Sequence, residues 1–199
     1  MPSALSVPPV VNPPRMRSPP RGVAHAIAHV DETFLAYLDA RREATPVSLA
    51  SGNMRANRRF LRDAALAAEV CARLPASAGV RSVCSDLRFI EYDEVGGFIA
   101  PHVDGSRVCA HTGRMTTHSF LLYLSDVPEE YGGETDFLES VEDENSVVYT
   151  VVPRRGTVVV FPHDTPHVGR CVDGRFPKIL LRGDCVVEAS DGMGGEGVL

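Results

Sequence analysis

From Val80 onward the chain is a succession of short apolar runs separated by Gly, Pro and Asp. The runs are 87-LRFIEY, 119-SFLLYLS, 147-VVYTVV, 157-TVVVF, 167-HVGRCV and 178-KILLRGDCVV. Each has the length of a β-strand, is rich in Val, Ile, Leu, Phe or Tyr, and is bounded by turn formers. Many short strands with no helices between them point to a closed or sandwiched antiparallel sheet, such as a jelly roll.

The segment before this one has a different texture. Phe34, Leu35 and Leu38 recur at helical spacing after Asp31, a natural N-cap. A second helix is expected from about Asn57 to Leu74, with Phe60, Leu61, Ala64, Ala65, Ala68 and Val70 on one face and Pro75 ending it. The stretch from Thr45 to Met54 reads as a loop or short strand. Pro2, Pro8, Pro9, Pro13, Pro14, Pro19 and Pro20 prevent a helix at the start, so 1–22 reads as a disordered Pro-rich tail. The expected organisation is that tail, a helical region over 23–80 packed on the core, a β domain over 81–190 and a flexible C-terminal tail over 191–199. The fold class is therefore mainly β with N-terminal helices.

Composition excludes several functions. The 199 residues carry a net charge of -6, which argues against a general nucleic-acid binder, since that needs a basic face. No run of about 18 apolar residues offers a membrane span. The five cysteines include no CxxC pair, which fits a reducing intracellular compartment and disfavours a zinc knuckle. The expectation is a cytoplasmic protein. The N-terminus has no acid before Asp31 and carries Arg15, Arg17 and Arg21, so organelle targeting by the tail stays open.

The segment most informative about chemistry is 101-PHVDG. In an extended chain His102 and Asp104 are two apart and project to the same side. An imidazole and a carboxylate together form two-thirds of a divalent-metal site. The third ligand must come from elsewhere, and His111, His118, His163 and His167 are candidates. Two histidines and a carboxylate leave open positions on the metal, the pattern of non-haem Fe(II) oxygenases, whereas structural zinc is closed and usually bound by cysteine.

Three stretches in order, 88-RFIEYDEVGGFIAPHVDG, 120-FLLYLSDVPEEYGGETDF and 152-VPRRGTVVVFPHDTPHVGRCVDGRFPKILLRGD, resemble the prolyl-4-hydroxylase-type family of Fe(II)/2-oxoglutarate-dependent dioxygenases. The resemblance implies a double-stranded β-helix, a kind of jelly roll, with 81–190 as the Fe(II)/2-oxoglutarate dioxygenase domain. It carries His102, Asp104 and His167 over as metal ligands and catalytic residues, favouring His167 over His163 because of the Val and Gly that follow it. It also implies a basic residue that grips the far carboxylate of 2-oxoglutarate. The matching position is Lys178, but 174-GRFPK is one residue longer than the family's turn, and Arg182 has the same strand parity, so both are candidates. Tyr123 matches a tyrosine that bonds the same carboxylate, Tyr92 matches one that lines the pocket, and Thr135 sits where a small polar residue lies near the cosubstrate.

The implied reactants are Fe(II), 2-oxoglutarate and O₂, with ascorbate as an auxiliary reductant that the resemblance allows. The implied reaction is hydroxylation of a C–H bond, with peptidyl proline as the favoured substrate. The alternatives are an oxygenase acting on a small molecule or another protein side chain, and a non-catalytic or other-metal cupin-like binding module. The expected partner is a peptide, protein or small-molecule substrate, with no membrane and no nucleic acid. The oligomeric state is not legible in the sequence. The segment from Glu129 to Glu144 is strongly acidic and flanks the expected mouth.

Overall fold

The computed structural model describes residues 19–20, 22–27, 30–48, 54–92 and 96–187. In chain order its elements are β1 (Ala24–Ile27), α1 (Glu32–Ala44), β2 (Asn57–Arg62), α2 (Ala64–Cys71), β3 (Val80–Val83), β4 (Asp86–Tyr92), β5 (Gly97–His102), β6 (His118–Tyr123), β7 (Thr135–Leu138), β8 (Val147–Val151), β9 (Thr157–Pro162), β10 (His167–Val172) and β11 (Lys178–Val187). The expected tails over 1–22 and 191–199 fall almost wholly outside the described residues.

The strands form two antiparallel sheets. The larger runs β1-β9-β6-β11-β4-β2, with β3 added to the end of β11, and the smaller runs β5-β10-β7-β8. Alternation along each strand sends successive side chains to opposite faces. On β4, Leu87 and Phe89 face the helices, while Ile90 and Tyr92 face the second sheet. Two cores result. In the outer one, Phe34, Leu35 and Leu38 of α1 and Leu66 and Val70 of α2 cover Phe89, Phe120 and Leu181. In the inner one, Phe137, Tyr149 and Val151 of the small sheet meet Leu121, Tyr123, Phe161 and Leu180 of the large sheet. Burying each such side chain contributes about 1.5–3 kcal/mol. The architecture is a jelly-roll sandwich with a helical layer on one face, as the strand pattern implies.

The helices start where the sequence places their caps. Asp31 accepts from the Phe34 N–H at 2.9 Å, and Asp63 accepts from the Leu66 N–H at 2.9 Å. The second helix is shorter than expected. Asn57–Arg62 is not helical but is edge strand β2, paired with β4 in register Asn57↔Glu91 to Arg62↔Asp86. Phe60, assigned above to a buried helical face, is 53% exposed. Pairing with the otherwise open edge of β4 outweighs a weak helical periodicity. The region 23–80 therefore contributes strands to the large sheet as well as helices.

Glu91 points to the outer face and is buried. It accepts from Arg42 Nη1 of α1 at 2.9 Å and from Arg59 Nε of β2 at 2.8 Å, tying helix and edge strand to β4. No helix among the described residues is long and apolar enough to cross a membrane.

Packing is tight at Gly183, opposite Phe120. A Cβ there would fall 2.7 Å from Phe120 Cζ and 2.8 Å from Leu87 Cδ2, both on fully buried side chains. Gly183→Ala is expected to destabilise the fold by about 1–3 kcal/mol through overpacking. Urea unfolding followed by circular dichroism measures this, and an unchanged midpoint would contradict the packing described.

Candidate active site

Strand pairing assembles the site. In the small sheet, β10 pairs with β5 so that His167 lies opposite His102. The two rings stand 4.2 Å apart between centroids. Each ring is fixed in the same way: His102 Nδ1 lies 2.8 Å from Ala100 O, and His167 Nδ1 lies 2.9 Å from Thr165 O. A ring nitrogen bonded to a carbonyl carries the proton, so both Nε2 atoms present lone pairs. His167 is also wedged against Phe161, with centroids 4.8 Å apart.

Asp104 follows β5, and its N–H donates to His163 O at 2.8 Å. One carboxylate oxygen is 3.8 Å from His102 Nε2 and the other is 3.9 Å from His167 Nε2. These separations are too long for hydrogen bonds. The ligand atoms of His102, Asp104 and His167 all lie within 4.8 Å of one another, so one divalent ion can touch all three. The donor set, two neutral imidazoles and one carboxylate, fits iron(II). Burial pushes His167 down to about 4, with His102 reinforcing this and Asp104 opposing it. His167 is therefore neutral at pH 7, the form that binds metal. Burial alone raises the Asp104 pKa, but Arg182, His167 and Ser119 outweigh it and hold the carboxyl well below its usual range. Ser119 Oγ donates to Asp104 Oδ2 at 2.5 Å, and Arg182 Nη2 lies 2.7 Å from Oδ1.

A cavity of about 240 Å³ opens beside these three residues. Thr135, Tyr92 and Gly169 line it together with His102, Asp104 and His167. Behind Thr135 lies a buried cation. Lys178 Nζ donates to Thr135 Oγ1 at 3.0 Å, and the Tyr123 hydroxyl donates to the same oxygen at 2.8 Å. The Lys178 ammonium also sits 4.8 Å from the centre of the Tyr92 ring. Burial lowers Lys178 to about 7, with Glu134 and Asp136 opposing. A fully buried ammonium with spare N–H capacity is suited to an anionic group entering from the cavity.

All the expected site residues come together here, with two distinctions. Lys178 and Arg182 both point inward, but only Lys178 shares Thr135 with Tyr123, whereas Arg182 lies against Asp104. His163 is not among the grouped ligand atoms, and its ring is held by Ser119 Oγ at 3.1 Å and Thr116 Oγ1 at 3.0 Å. Sequence reasoning missed Ser119, Gly169, Arg58 and Arg88, of which the last three line the cavity. Parity carried the signal for two of them: Arg88 shares its face with Tyr92, and Ser119 shares its face with Tyr123. At Gly169 a Cβ would lie 2.6 Å from the Tyr92 hydroxyl, so only glycine leaves that ring its place.

Residues 87–183 match the family model of the 2OG-Fe(II) oxygenase superfamily. No curated protein matches the chain by sequence. Among solved structures, a Pseudomonas putida prolyl-4-hydroxylase is similar, with a TM-score of 0.59 and 19% identity over 84% of this chain and 94% of that one. The viral collagen prolyl hydroxylase of Paramecium Bursaria Chlorella virus-1 is similar at a TM-score of 0.59 and 16% identity, over 84% and 98% of the two chains. HygX from Streptomyces hygroscopicus, solved with nickel, 2-oxoglutarate and hygromycin B, gives a TM-score of 0.56 and 14% identity over 83% of each chain. At these identities the likeness is one of fold.

Removing the hydroxyl that holds Asp104 is expected to weaken metal binding. Ser119→Ala should lower Mn(II) affinity by about 10–100-fold, as loss of a ligand's hydrogen-bonded support typically does. Titration followed by electron paramagnetic resonance measures it, and wild-type affinity in the variant would contradict this role for Ser119.

Proposed function

We propose, on the match of residues 87–183 to the 2OG-Fe(II) oxygenase superfamily model, that the chain is an oxygenase of that superfamily and hydroxylates a C–H bond of an organic substrate, using His102, Asp104 and His167 to hold the iron. The observation that carries the reading is the convergence of two carbonyl-anchored imidazoles and one ionised carboxylate within 4.8 Å, beside a cavity lined by Thr135, behind which a buried lysine sits. Iron(II) bound there supplies the oxidising power: 2-oxoglutarate and O₂ become succinate and CO₂, with one oxygen atom entering succinate and the other the substrate C–H bond.

The chain's own residues do the rest. Lys178 and Thr135, with Tyr123 behind them, receive the far carboxylate of 2-oxoglutarate and so set its direction toward the three ligands. Tyr92 packs its ring against the Lys178 ammonium and closes that end of the cavity. Ser119 and Arg182 fix the Asp104 carboxylate and keep it ionised. Ile90, Leu121 and Leu180 make the wall apolar and exclude water. Peptidyl proline is the substrate class supported by the sequence resemblance. A small-molecule substrate is the second reading, favoured by the arginines that line the cavity.

Two outcomes are expected. With Fe(II) and 2-oxoglutarate, wild type forms succinate and His167→Ala forms at least about a hundredfold less, since the loss of one of three ligands removes the site; equal turnover would sink the assignment. The second outcome concerns protons. In the free protein Lys178 is largely neutral above pH 7, and a carboxylate placed against it raises its pKa again. Binding of 2-oxoglutarate at pH 8.5 should therefore take up about one proton, and affinity should fall as pH rises above 7. Calorimetry of the Ni(II)-loaded protein in phosphate and in Tris reads this directly. Lys178→Met should bind weakly and without uptake, and a wild type with no buffer dependence would contradict the role of Lys178.

A further inference from the structure

The wall formed by β2, β4 and β11 carries more positive charge than the reaction described so far employs. Arg58, Arg88 and Arg182 all line the cavity. Arg88 and Arg182 are directly opposed partners in the β4–β11 ladder, and Arg58 pairs with Ile90 on the next strand. Like charges set opposite each other in a sheet destabilise it. Burial and the neighbouring Arg182 push Arg88 down to about 10 and also lower Arg58.

Acidic partners account for part of this charge. Asp184 is fully buried and meets Arg107 Nε at 2.9 Å, Arg182 Nη2 at 3.1 Å and Arg88 Nη2 at 3.4 Å. Asp104 meets Arg182. Arg58 has no acidic partner among the described residues. Its Nε and the Nη1 of Arg182 are buried and lack any hydrogen-bond partner among the described residues. Four guanidinium groups thus face two carboxylates. Iron(II) and the doubly negative 2-oxoglutarate cancel each other, so the loaded site keeps the excess. Lys178 and Arg182 stand four residues apart on β11, about 13 Å along the strand. A cosubstrate whose far carboxylate is taken by Lys178 does not need Arg58 as its partner.

We infer that Arg58, with Arg88 and Arg182 beside it, receives the oxyanion of a small substrate whose apolar body lies against Met54, Ile90 and Ile99. The inference rests on the oxygenase reading above and names the substrate class for that site. A neutral peptide flanking a proline offers Arg58 no ionic partner. Glu139, Glu142, Asp143 and Glu144 are exposed on the turn after β7, the strand paired with His167 of β10, and they would repel an acidic polypeptide that lay across that turn. A compact acid is small enough to meet the basic wall alone, where low dielectric strengthens the ion pair. Carboxylate and phosphate share this chemistry.

The test uses the full chain loaded with Ni(II) and saturated with 2-oxoglutarate under anaerobic conditions. Benzoate, phenyl phosphate and the neutral benzamide are titrated by calorimetry. At least one anion should bind about tenfold or more tighter than benzamide, the scale of a charge-assisted hydrogen bond. A preference for benzoate marks a carboxylic acid, and one for phenyl phosphate marks a phosphate ester. Arg58→Gln should abolish the preference and Arg58→Lys should retain part of it. Removing Arg58 leaves no acid orphaned, so both variants are expected to fold. With normal 2-oxoglutarate binding, benzamide matching both anions, or a preference that survives in Arg58→Gln, would overturn the inference alone. Weaker 2-oxoglutarate binding in Arg58→Gln but not in Lys178→Met would also overturn it, by making the arginines the cosubstrate's partners. A wild type that binds no 2-oxoglutarate would overturn the oxygenase reading and the inference with it.

Discussion

The register of β5 against β10 sets His102 across from His167, and the chemistry of the site depends on this single alignment. A slip of one strand by one residue would turn its imidazole to the opposite face of the sheet and separate the pair. The alignment is held from both sides of β10. The pairing of β10 with β7 places Phe137 beside His167, and Phe161 from the opposing sheet closes over the same ring. The carbonyls of Ala100 and Thr165, each two residues before its histidine, then fix the rings so that both Nε2 atoms point to one spot. The candidate metal site is therefore placed by backbone pairing and oriented by backbone acceptors, which is a stiffer arrangement than side chains on free loops.

The long strand β11 organises the rest. Lys178, Leu180, Arg182 and Asp184 share the inner face by strand parity, and Leu180 and Arg182 of these line the cavity. The charges differ in their surroundings. Lys178 is desolvated and bonds only to neutral oxygens, those of the Thr135 hydroxyl and the Glu134 carbonyl. Arg182 lies against two carboxylates, those of Asp104 and Asp184. Lys178 and Arg182 are alike in strand parity at the level of sequence, and the structure distinguishes them by the charge of their neighbours.

Much of this was legible from the chain. The strands after Val80 were read from length and turn chemistry, the candidate pair His102 and Asp104 from period-2 geometry that any extended backbone fixes, and His167 from the family resemblance alone. What failed was local. Asn57–Arg62 looked helical because Phe60 and Leu61 precede a genuinely helical alanine-rich run, and the pairing that makes it a strand is to a segment far along the chain. Arg58, Arg88 and Ser119 were missed for a related reason. An arginine or serine on a strand reads as solvent-facing until its neighbours on the same face are known, and here those neighbours are Tyr92 and Tyr123.

The helical layer explains how the inner face tolerates such polarity. Burying Lys178, Arg182, Asp104 and Asp184 is costly even when they are paired, and these groups share the space between the sheets with the inner apolar core of Leu121, Phe137, Val151 and Phe161. The outer face of the large sheet carries Phe89, Phe120, Val158, Val160 and Leu181, and α1 and α2 cover it with a second core that holds no such charges. That second core adds to stability on one side of the sheet while the polar groups lie on the other, with β4, β6, β9 and β11 common to both. Glu91 reinforces the division, since its salt bridges to Arg42 and Arg59 lie on the outer face directly behind Ile90 and Tyr92. The N-terminal segment is thus part of the catalytic fold in a physical sense: without its apolar faces the sheet that holds the site would be exposed to water on one side and charged on the other.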